Sequence, residues 1–106
     1  MSLDVYLYKE EERVFDANIT HNLNTMADKA GIYQALWRPE EIECTKAGEI
    51  IEILENGLAD LKERPDYFKQ FNASNGWGMY EHFIPFVEEY LNACKANPES
   101  TIEVSR

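Results

Sequence analysis

Alternation of apolar and polar residues at both ends of the chain is the feature that most restricts the fold. Near the start, aliphatic and polar or aromatic residues alternate over Leu3, Asp4, Val5, Tyr6, Leu7 and Tyr8. A period of two predicts a strand with one buried face. Ile102 and Val104 repeat this alternation within Thr101 to Arg106. We expect the two terminal strands to pair in one sheet.

The acidic run Glu10-Glu11-Glu12 predicts a turn after the first strand, and Arg13 to Ile19 is compatible with a second, shorter strand. Apolar residues then recur every three or four positions, which is typical of amphipathic helices. Thr20 can cap the first helix, and Gly31 can end it. The other helical stretches are 32–37, 45–61 and 80–94, the last of which contains Pro85.

These elements predict an α+β fold with three to four helices packed on a small sheet that includes the N- and C-terminal strands. The length of 106 residues fits a single globular domain, 1–106. A chain of this size buries roughly 60–70% of its unfolded surface, which is enough for one core. Pro85 inside the last helical stretch should kink the helix or mark a new start.

The chain is strongly acidic, with 20 Asp and Glu against 10 Lys and Arg and a formal net charge of −10. Such a charge repels phosphate backbones, so we expect no direct nucleic-acid binding. The same charge suits a partner with a basic groove, although solubility alone explains it. No stretch is apolar enough for a signal peptide or a membrane span, and Cys44 and Cys94 form no disulfide framework. We therefore expect a cytoplasmic protein without membrane contact.

The sequence contains no recognised catalytic or metal-binding motif. The two histidines, His21 and His82, do not have metal-ligand spacing, and we expect no metal and no cofactor. A general-base role for either histidine stays open, because imidazole titrates near neutral pH. An enzyme is nevertheless the least supported class.

Trp37-Arg38-Pro39 stands out from the acidic surface. An arginine beside a tryptophan offers five donors and an aromatic plane, which suits a phosphate, a carboxylate or a stacked base. The alternative is structural, with Trp37 buried and Arg38 paired to Glu40 or Glu41.

The stretch SNGWG, residues 74–78, precedes the last helical stretch. Ser74 or Asn75 can cap that helix, Gly76 can adopt a positive φ, and free amides at the helix start would favour an anion. The alternative is a capped helix with Trp77 folded onto the core.

The blocks NITHNL, LWRPE and NGWGMY are 18–23, 36–40 and 75–80. Together with the terminal IEVSR, they resemble a set of small proteins encoded by bacteriophages and bacteria, over almost the whole chain. The resemblance implies a phage or prophage context, and hence the host cytoplasm as location, but no catalytic role. By association with that context, we expect a small acidic protein that antagonises a host defence system.

Our leading hypothesis is a non-enzymatic ligand-binding protein in which the three blocks form one pocket. Aromatic walls, an anion clamp and polar edges would come from His21, Asn22, Trp37, Arg38, Asn75, Trp77 and Tyr80. Stacking and charge-assisted hydrogen bonds suit a nucleotide-like signal molecule, which the protein would sequester.

Two alternatives belong to other classes. The first is an acidic inhibitor that occupies a basic site on a host protein through Glu49, Glu52 and Glu55. The second is a small hydrolase that uses a histidine. A homo-oligomer is also possible, since aromatic residues such as Tyr6 and Tyr67 could line a dimer interface.

Overall fold

The computed structural model describes residues 2–106 and contains an antiparallel three-stranded sheet in the order β2-β1-β3. The strands are β1 (Ser2–Lys9), β2 (Glu12–Thr20) and β3 (Thr101–Ser105). Both terminal segments therefore lie in one sheet, as the alternation predicts, and the α+β class is confirmed.

Alternation along β1 separates a buried face from a polar one. Leu3, Val5 and Leu7 are fully buried, and Val5 pairs with Ala17 on one side and Val104 on the other. The hairpin that joins β1 to β2 turns at Glu10 and Glu11, whose φ angles of 52° and 70° are left-handed. The acidic run therefore closes the hairpin, although Glu12 already belongs to β2.

Five α-helices lie between β2 and β3, more than the sequence predicts. They are α1 (Asn24–Lys29), α2 (Tyr33–Trp37), α3 (Ile51–Glu63), α4 (Pro65–Lys69) and α5 (Tyr80–Ala96). Short 3-10 turns cover His21–Leu23, Pro39–Ile42 and Ala47–Ile50.

The first helical segment begins and ends where the sequence predicts. Thr20 Oγ1 accepts the Asn22 N–H at 3.3 Å and caps the 3-10 turn that leads into α1. Gly31 follows the helix with a φ of +78°, which a residue with a side chain rarely adopts.

The start of α3 differs from the prediction, because Thr45 does not open the helix. The Thr45 carbonyl accepts the Ile102 N–H at 2.9 Å, which holds this segment beside β3. A 3-10 turn and then Ile51 begin the helical path. The Glu49 carboxylate accepts the N–H groups of Thr45 and Lys46, both at 2.8 Å, so it caps the turn.

Two prolines lie within helices. Pro65 opens α4, because its fixed φ and missing N–H suit a first helical position. Pro85 lies inside α5, which continues as one helix from Tyr80 to Ala96 instead of starting afresh. Packing of its apolar face, including the buried Phe83 and Val87, offsets the lost hydrogen bond.

The core lies between the inner sheet face and the helices. Its largest fully buried side chains are those of Trp37, Tyr90, Phe68 and Phe83. Cys94 is buried there, and desolvation raises the pKa of its thiol to about 12. Within the part of the chain that the structure describes, no helix has the length and apolar character needed to cross a bilayer.

Candidate functional site

A cavity of about 980 Å³ opens where the end of β2 meets the loop that precedes α5. Its walls come from three segments that are distant in sequence. They are contributed by Ser2, Asn18, Ile19, Thr20, His21, Asn22, Asn75, Gly76, Trp77, Gly78 and His82. A volume of this size is in the range that holds a small organic ligand.

One wall is the transition from strand to helix. Ser2 pairs with Thr20 across the sheet, so both residues lie at the same end of the β1–β2 ladder. The Thr20 cap turns the chain into the 3-10 helix, which brings His21 and Asn22 to the cavity. The local hydrogen bond that starts the helix therefore also places two of the predicted site residues.

The opposite wall is the loop 73–78, which is held by hydrogen bonds within the loop and by one from Asn22. The Trp77 N–H donates to Asn75 Oδ1 at 3.0 Å, and the Ala73 N–H donates to the Gly78 carbonyl at 3.1 Å. The Asn22 side chain crosses to this loop and donates Nδ2–H to the Trp77 carbonyl at 2.6 Å. The two walls are thus joined directly by Asn22.

Glycine is required at position 78 by this junction. Its φ is +123°, and a β-carbon there would lie 2.8 Å from Asn22 Cβ. Gly76 has a φ of +80° but open space around its missing β-carbon. The two glycines of SNGWG are therefore needed for different reasons. Gly76 permits a turn, whereas Gly78 also permits the two walls of the cavity to approach each other closely.

Trp77 points away from the core. The residue is 72% exposed, so the alternative in which it folds onto the core is wrong. Its backbone N–H and carbonyl are both bonded, which holds the residue at the cavity wall while the indole stays accessible.

Trp37 has the opposite environment, with only 2% exposure. It packs against the Tyr33 ring in a stacked arrangement at 5.5 Å and meets the His21 ring edge-on at 6.1 Å between centroids. Trp37 contributes no surface to the cavity, because α2 places it in the core. It supports His21 from behind and does not form the expected second aromatic wall.

Two buried nitrogen atoms have no partner at this contact. His21 Nε2 and Trp37 Nε1 are inaccessible and form no hydrogen bond within residues 2–106. Buried polar atoms without partners are uncommon in folded proteins. The two rings therefore meet without pairing these nitrogen atoms, and the His21 ring belongs to a residue of the cavity wall.

Arg38 is not at the cavity. Its Nε donates to the Tyr33 hydroxyl at 3.3 Å and lies 3.9 Å from the Glu41 carboxylate. The Tyr33 hydrogen bond raises the pKa of Arg38. The expected anion clamp at this residue is therefore absent from the cavity, because Arg38 follows the buried end of α2 and pairs with neighbours on its own segment.

Tyr80 also forms its hydrogen bonds away from the cavity. Its hydroxyl donates to the Leu61 carbonyl at 2.6 Å, and its N–H donates to Asn72 Oδ1 at 2.7 Å. Partial burial raises the pKa of its phenol. Asn72, and not Ser74 or Asn75, thus supplies the hydrogen bond at the start of α5.

The amides expected to hold an anion are largely occupied. The Gly76 N–H donates to the Ala73 carbonyl at 3.2 Å, and the Trp77 N–H is bonded to Asn75. Because α5 begins only at Tyr80, whose N–H is bonded to Asn72, SNGWG is not a free helix start.

Asn18 and His82 were not predicted as site residues. Asn18 lies two positions before Thr20 on β2, so strand alternation places both side chains on one face. It donates to the Asp4 carboxylate at 2.7 Å. His82 lies in the first turn of α5, five residues after Trp77, and this proximity was the available signal.

The cavity wall has little charge. Among the residues in 2–106 that line it, none is Asp, Glu, Lys or Arg, and the two imidazoles are the ionisable groups. This neutrality contrasts with the net charge of −10 of the whole chain. The described residues also contain no group of three or more side chains that could hold a metal ion.

The structure thus divides the predicted site. His21, Asn22, Asn75 and Trp77 come together at one cavity, whereas Trp37, Arg38 and Tyr80 serve neighbouring packing and hydrogen bonds. Comparisons of the chain with protein-family models, curated proteins and solved structures found no match.

Proposed function

We propose that this protein binds a small molecule in the cavity and acts by sequestering it, without chemical turnover. The observation that carries the proposal is that Trp77, a residue left 72% exposed, lines a cavity of about 980 Å³. The ligand is nucleotide-like in the sense that it offers a flat ring for stacking and polar edges for hydrogen bonding.

The fixed backbone of Trp77 supports this use of the residue. A tryptophan left 72% exposed gains little from packing, yet hydrogen bonds to Asn22 and Asn75 hold its main chain. Stacking of a base on an aromatic side chain contributes roughly 1–3 kcal/mol. A ligand ring that covers Trp77 would therefore gain that energy without having to order the loop.

Polar residues that line the same cavity as Trp77 support recognition of ring edges. Asn18, Asn22 and Asn75 all line the cavity. An amide carries both a donor and an acceptor, so a few amides suffice to distinguish heterocycles. Together with the resemblance to phage proteins, this chemistry favours removal of a host signal molecule as the biological role.

The test is calorimetric titration of the protein with cyclic, linear and ADP-ribose-type nucleotides and with the corresponding nucleosides. We expect heat and a raised melting temperature with at least one of them, because a ligand that binds only the folded state stabilises it. Absence of both effects across the panel contradicts the proposal.

A second candidate is hydrolysis of the bound ligand, which is favoured by the presence of both His21 and His82 at the same cavity. Imidazole can transfer protons near neutral pH. Chromatography of each binding ligand after prolonged incubation separates the two functions. Product formation that disappears in His21→Ala or in His82→Ala supports hydrolysis, and recovery of intact ligand supports sequestration.

The acidic-inhibitor alternative has less support from the surface charges. Glu49 caps the turn before α3, and Glu55 lies 2.8 Å from Lys95. Two of the three carboxylates expected to face a partner thus have intramolecular partners. Charge reversal at Glu52, which lies on α3 between them, is the variant that tests this alternative.

A further inference from the structure

We infer that Asn75-Gly76 is a site of spontaneous modification, at which the backbone nitrogen of Gly76 displaces ammonia from the Asn75 side chain. The product is an aspartate or isoaspartate at position 75, in the wall of the cavity. The inference goes beyond the proposed function, because the reaction needs water but no ligand. It follows from the different environments of the two Asn-Gly pairs in the chain.

The sequence contains two Asn-Gly pairs, Asn56-Gly57 and Asn75-Gly76. Glycine after asparagine favours closure of a cyclic imide, because no side chain obstructs the attacking nitrogen and the backbone rotates more freely. Residue types alone therefore predict that both pairs are reactive. The environment of each pair in the fold distinguishes them.

Asn75-Gly76 lies in a turn outside the helices and strands, and both residues are exposed. A β-carbon added at Gly76 would meet nothing within 4 Å, so there is open space beside the attacking residue. The Gly76 N–H donates to the Ala73 carbonyl at 3.2 Å, which is a turn hydrogen bond and not part of a helix or sheet. Exposed turns open at little cost in free energy, so the Gly76 nitrogen can be released.

The Asn75 side chain folds back toward its own main chain. Its Oδ1 accepts the Trp77 N–H at 3.0 Å, in the manner of an Asx-turn, which keeps the side chain over the peptide that follows it. The same N–H polarises the side-chain carbonyl and would stabilise the negative oxygen of the tetrahedral intermediate, as a preorganised donor does in acyl transfer. This hydrogen bond therefore orients and activates the amide that is attacked.

Asn56-Gly57 lies in the interior of α3, where the same reaction is obstructed. Ring closure requires the side chain and the following nitrogen to eclipse about the Cα–C bond, which a helical ψ does not allow unless the helix opens. Gly57 is buried, and a β-carbon there would clash with Ile32 Cγ2. Opening α3 at this point therefore disrupts core packing as well as helical hydrogen bonds.

The reaction balances with water as the co-reactant. The Gly76 nitrogen loses its proton to a base in solution and bonds to Asn75 Cγ. The Cγ–Nδ2 bond breaks, and the departing nitrogen takes up a proton and leaves as ammonia. Water then opens the cyclic imide. Addition at Cγ gives aspartate, whereas addition at the main-chain carbonyl carbon gives isoaspartate, in which the peptide runs through the side chain.

Either product changes the wall of the cavity. Among the residues in 2–106 that line it, none is Asp or Glu, so the conversion introduces a carboxylate there. Isoaspartate also lengthens the main chain and displaces the oxygen that accepts the Trp77 N–H. The loop 73–78 then loses one of the hydrogen bonds that hold it.

The experiment is peptide mapping by mass spectrometry of the full chain after incubation at mildly alkaline pH in water labelled with heavy oxygen. We expect position 75 to become a labelled mixture of aspartate and isoaspartate about tenfold or more faster than position 56. The same incubation in urea is the control, and there both positions should convert at comparable rates because no fold protects Asn56. Equal rates in the folded protein, an intact Asn75, or the same rate ratio in urea overturns the inference.

Two glycine variants test the attacking nitrogen. Gly76→Ala places a side chain beside that nitrogen and should slow conversion of Asn75 about tenfold or more. Gly31→Ala is the matched control, because Gly31 has a φ of +78° against +80° for Gly76, and neither β-carbon would meet an atom within 4 Å. Gly31→Ala should convert at the wild-type rate. Equal slowing in both variants, or wild-type conversion in Gly76→Ala, contradicts the assigned site of attack.

Discussion

The Asn22 side chain donates a 2.6 Å hydrogen bond to the Trp77 carbonyl, and it thereby joins two segments that are 55 residues apart in the sequence. Gly78, the next residue, approaches Asn22 too closely for a β-carbon. The exposed indole of Trp77 is consequently carried by a backbone that is fixed to the first helical turn. This junction joins the two walls of the cavity.

Replacing Gly78 with alanine should damage the junction. The new β-carbon would lie 2.8 Å from Asn22 Cβ and would occupy a φ of +123°. We expect a loss of roughly 1–3 kcal/mol in the free energy of unfolding, measured by denaturant titration. Gly76→Ala is the matched control, because its β-carbon meets nothing within 4 Å, and it should lose only about 1 kcal/mol. Equal losses in the two variants would show that the contact with Asn22 is not tight.

Trp77→Ala should separate binding from stability. Because the residue is 72% exposed, the free energy of unfolding should change by no more than about 0.5 kcal/mol. Ligand affinity should fall about tenfold or more through the loss of stacking. Tyr67 is another exposed aromatic residue, at 37%, and it lies outside the cavity. Tyr67→Ala should keep full affinity, and a comparable loss in both variants would contradict the assigned site.

Gly57→Ala should destabilise the protein although it raises the helix propensity of α3. A β-carbon at this position would clash with Ile32 Cγ2, and Ile32 is fully buried. Overpacking of a core costs typically 1–3 kcal/mol, which exceeds the gain of about 1 kcal/mol from replacing a helical glycine. The free energy of unfolding is the measurement. Combining Gly57→Ala with Ile32→Ala should show coupling, since the second change removes the clashing methyl group; strict additivity would argue against the contact.

Glu49→Gln tests the Glu49 cap before α3 through the pH dependence of the melting temperature. Backbone hydrogen bonds from Lys46 and Thr45 lower the pKa of Glu49 below its ordinary value of 4.5. A lowered pKa in the folded state means that the ionised carboxylate stabilises the fold above the unfolded-state pKa, and that this stabilisation disappears as the pH falls through the folded-state pKa.

We therefore expect Glu49→Gln to melt below the wild type near neutral pH. The difference should narrow as the pH drops below 4.5, the ordinary value for this group. Glu52→Gln is the control on the same segment, and it should melt close to the wild type throughout. If the melting temperatures of Glu49→Gln and the wild type differ by the same amount at every pH, the charge of the carboxylate is not what stabilises the turn.

Local patterns in the sequence predicted the sheet and the main helices because each depends on residues close in the chain. The alternation at Leu3 to Leu7 and the cap at Thr20 are examples. The start of α3 was misplaced because the pairing of the Thr45 carbonyl with Ile102 is a long-range contact. The spacing of residue types along the sequence does not predict a contact between segments that are so far apart in the chain.

The candidate site was predicted in part for the same reason. His21 and Asn22 follow a recognisable cap, and Asn75 and Trp77 lie in a recognisable glycine-flanked loop. Whether a tryptophan faces solvent or core depends on the whole fold, and Trp77 and Trp37 differ in this respect. The position of Arg38 was not predicted from the sequence either. Its partners, Tyr33 and Glu41, lie on its own segment, and Arg38 is not at the cavity.

The most direct test of the ligand site is a ¹H–¹⁵N correlation spectrum recorded during titration with the tightest-binding ligand of the calorimetric panel. Side-chain NH₂ groups and indole N–H groups give separate signals, so both walls of the cavity can be followed. With the ligand that the calorimetric panel identifies, we predict that the Trp77 indole and the Asn22 and Asn75 side-chain signals shift, while the Trp37 indole and the Arg38 Nε–H keep their positions. Shifts concentrated at Trp37 and Arg38, with Trp77 unmoved, would contradict the account.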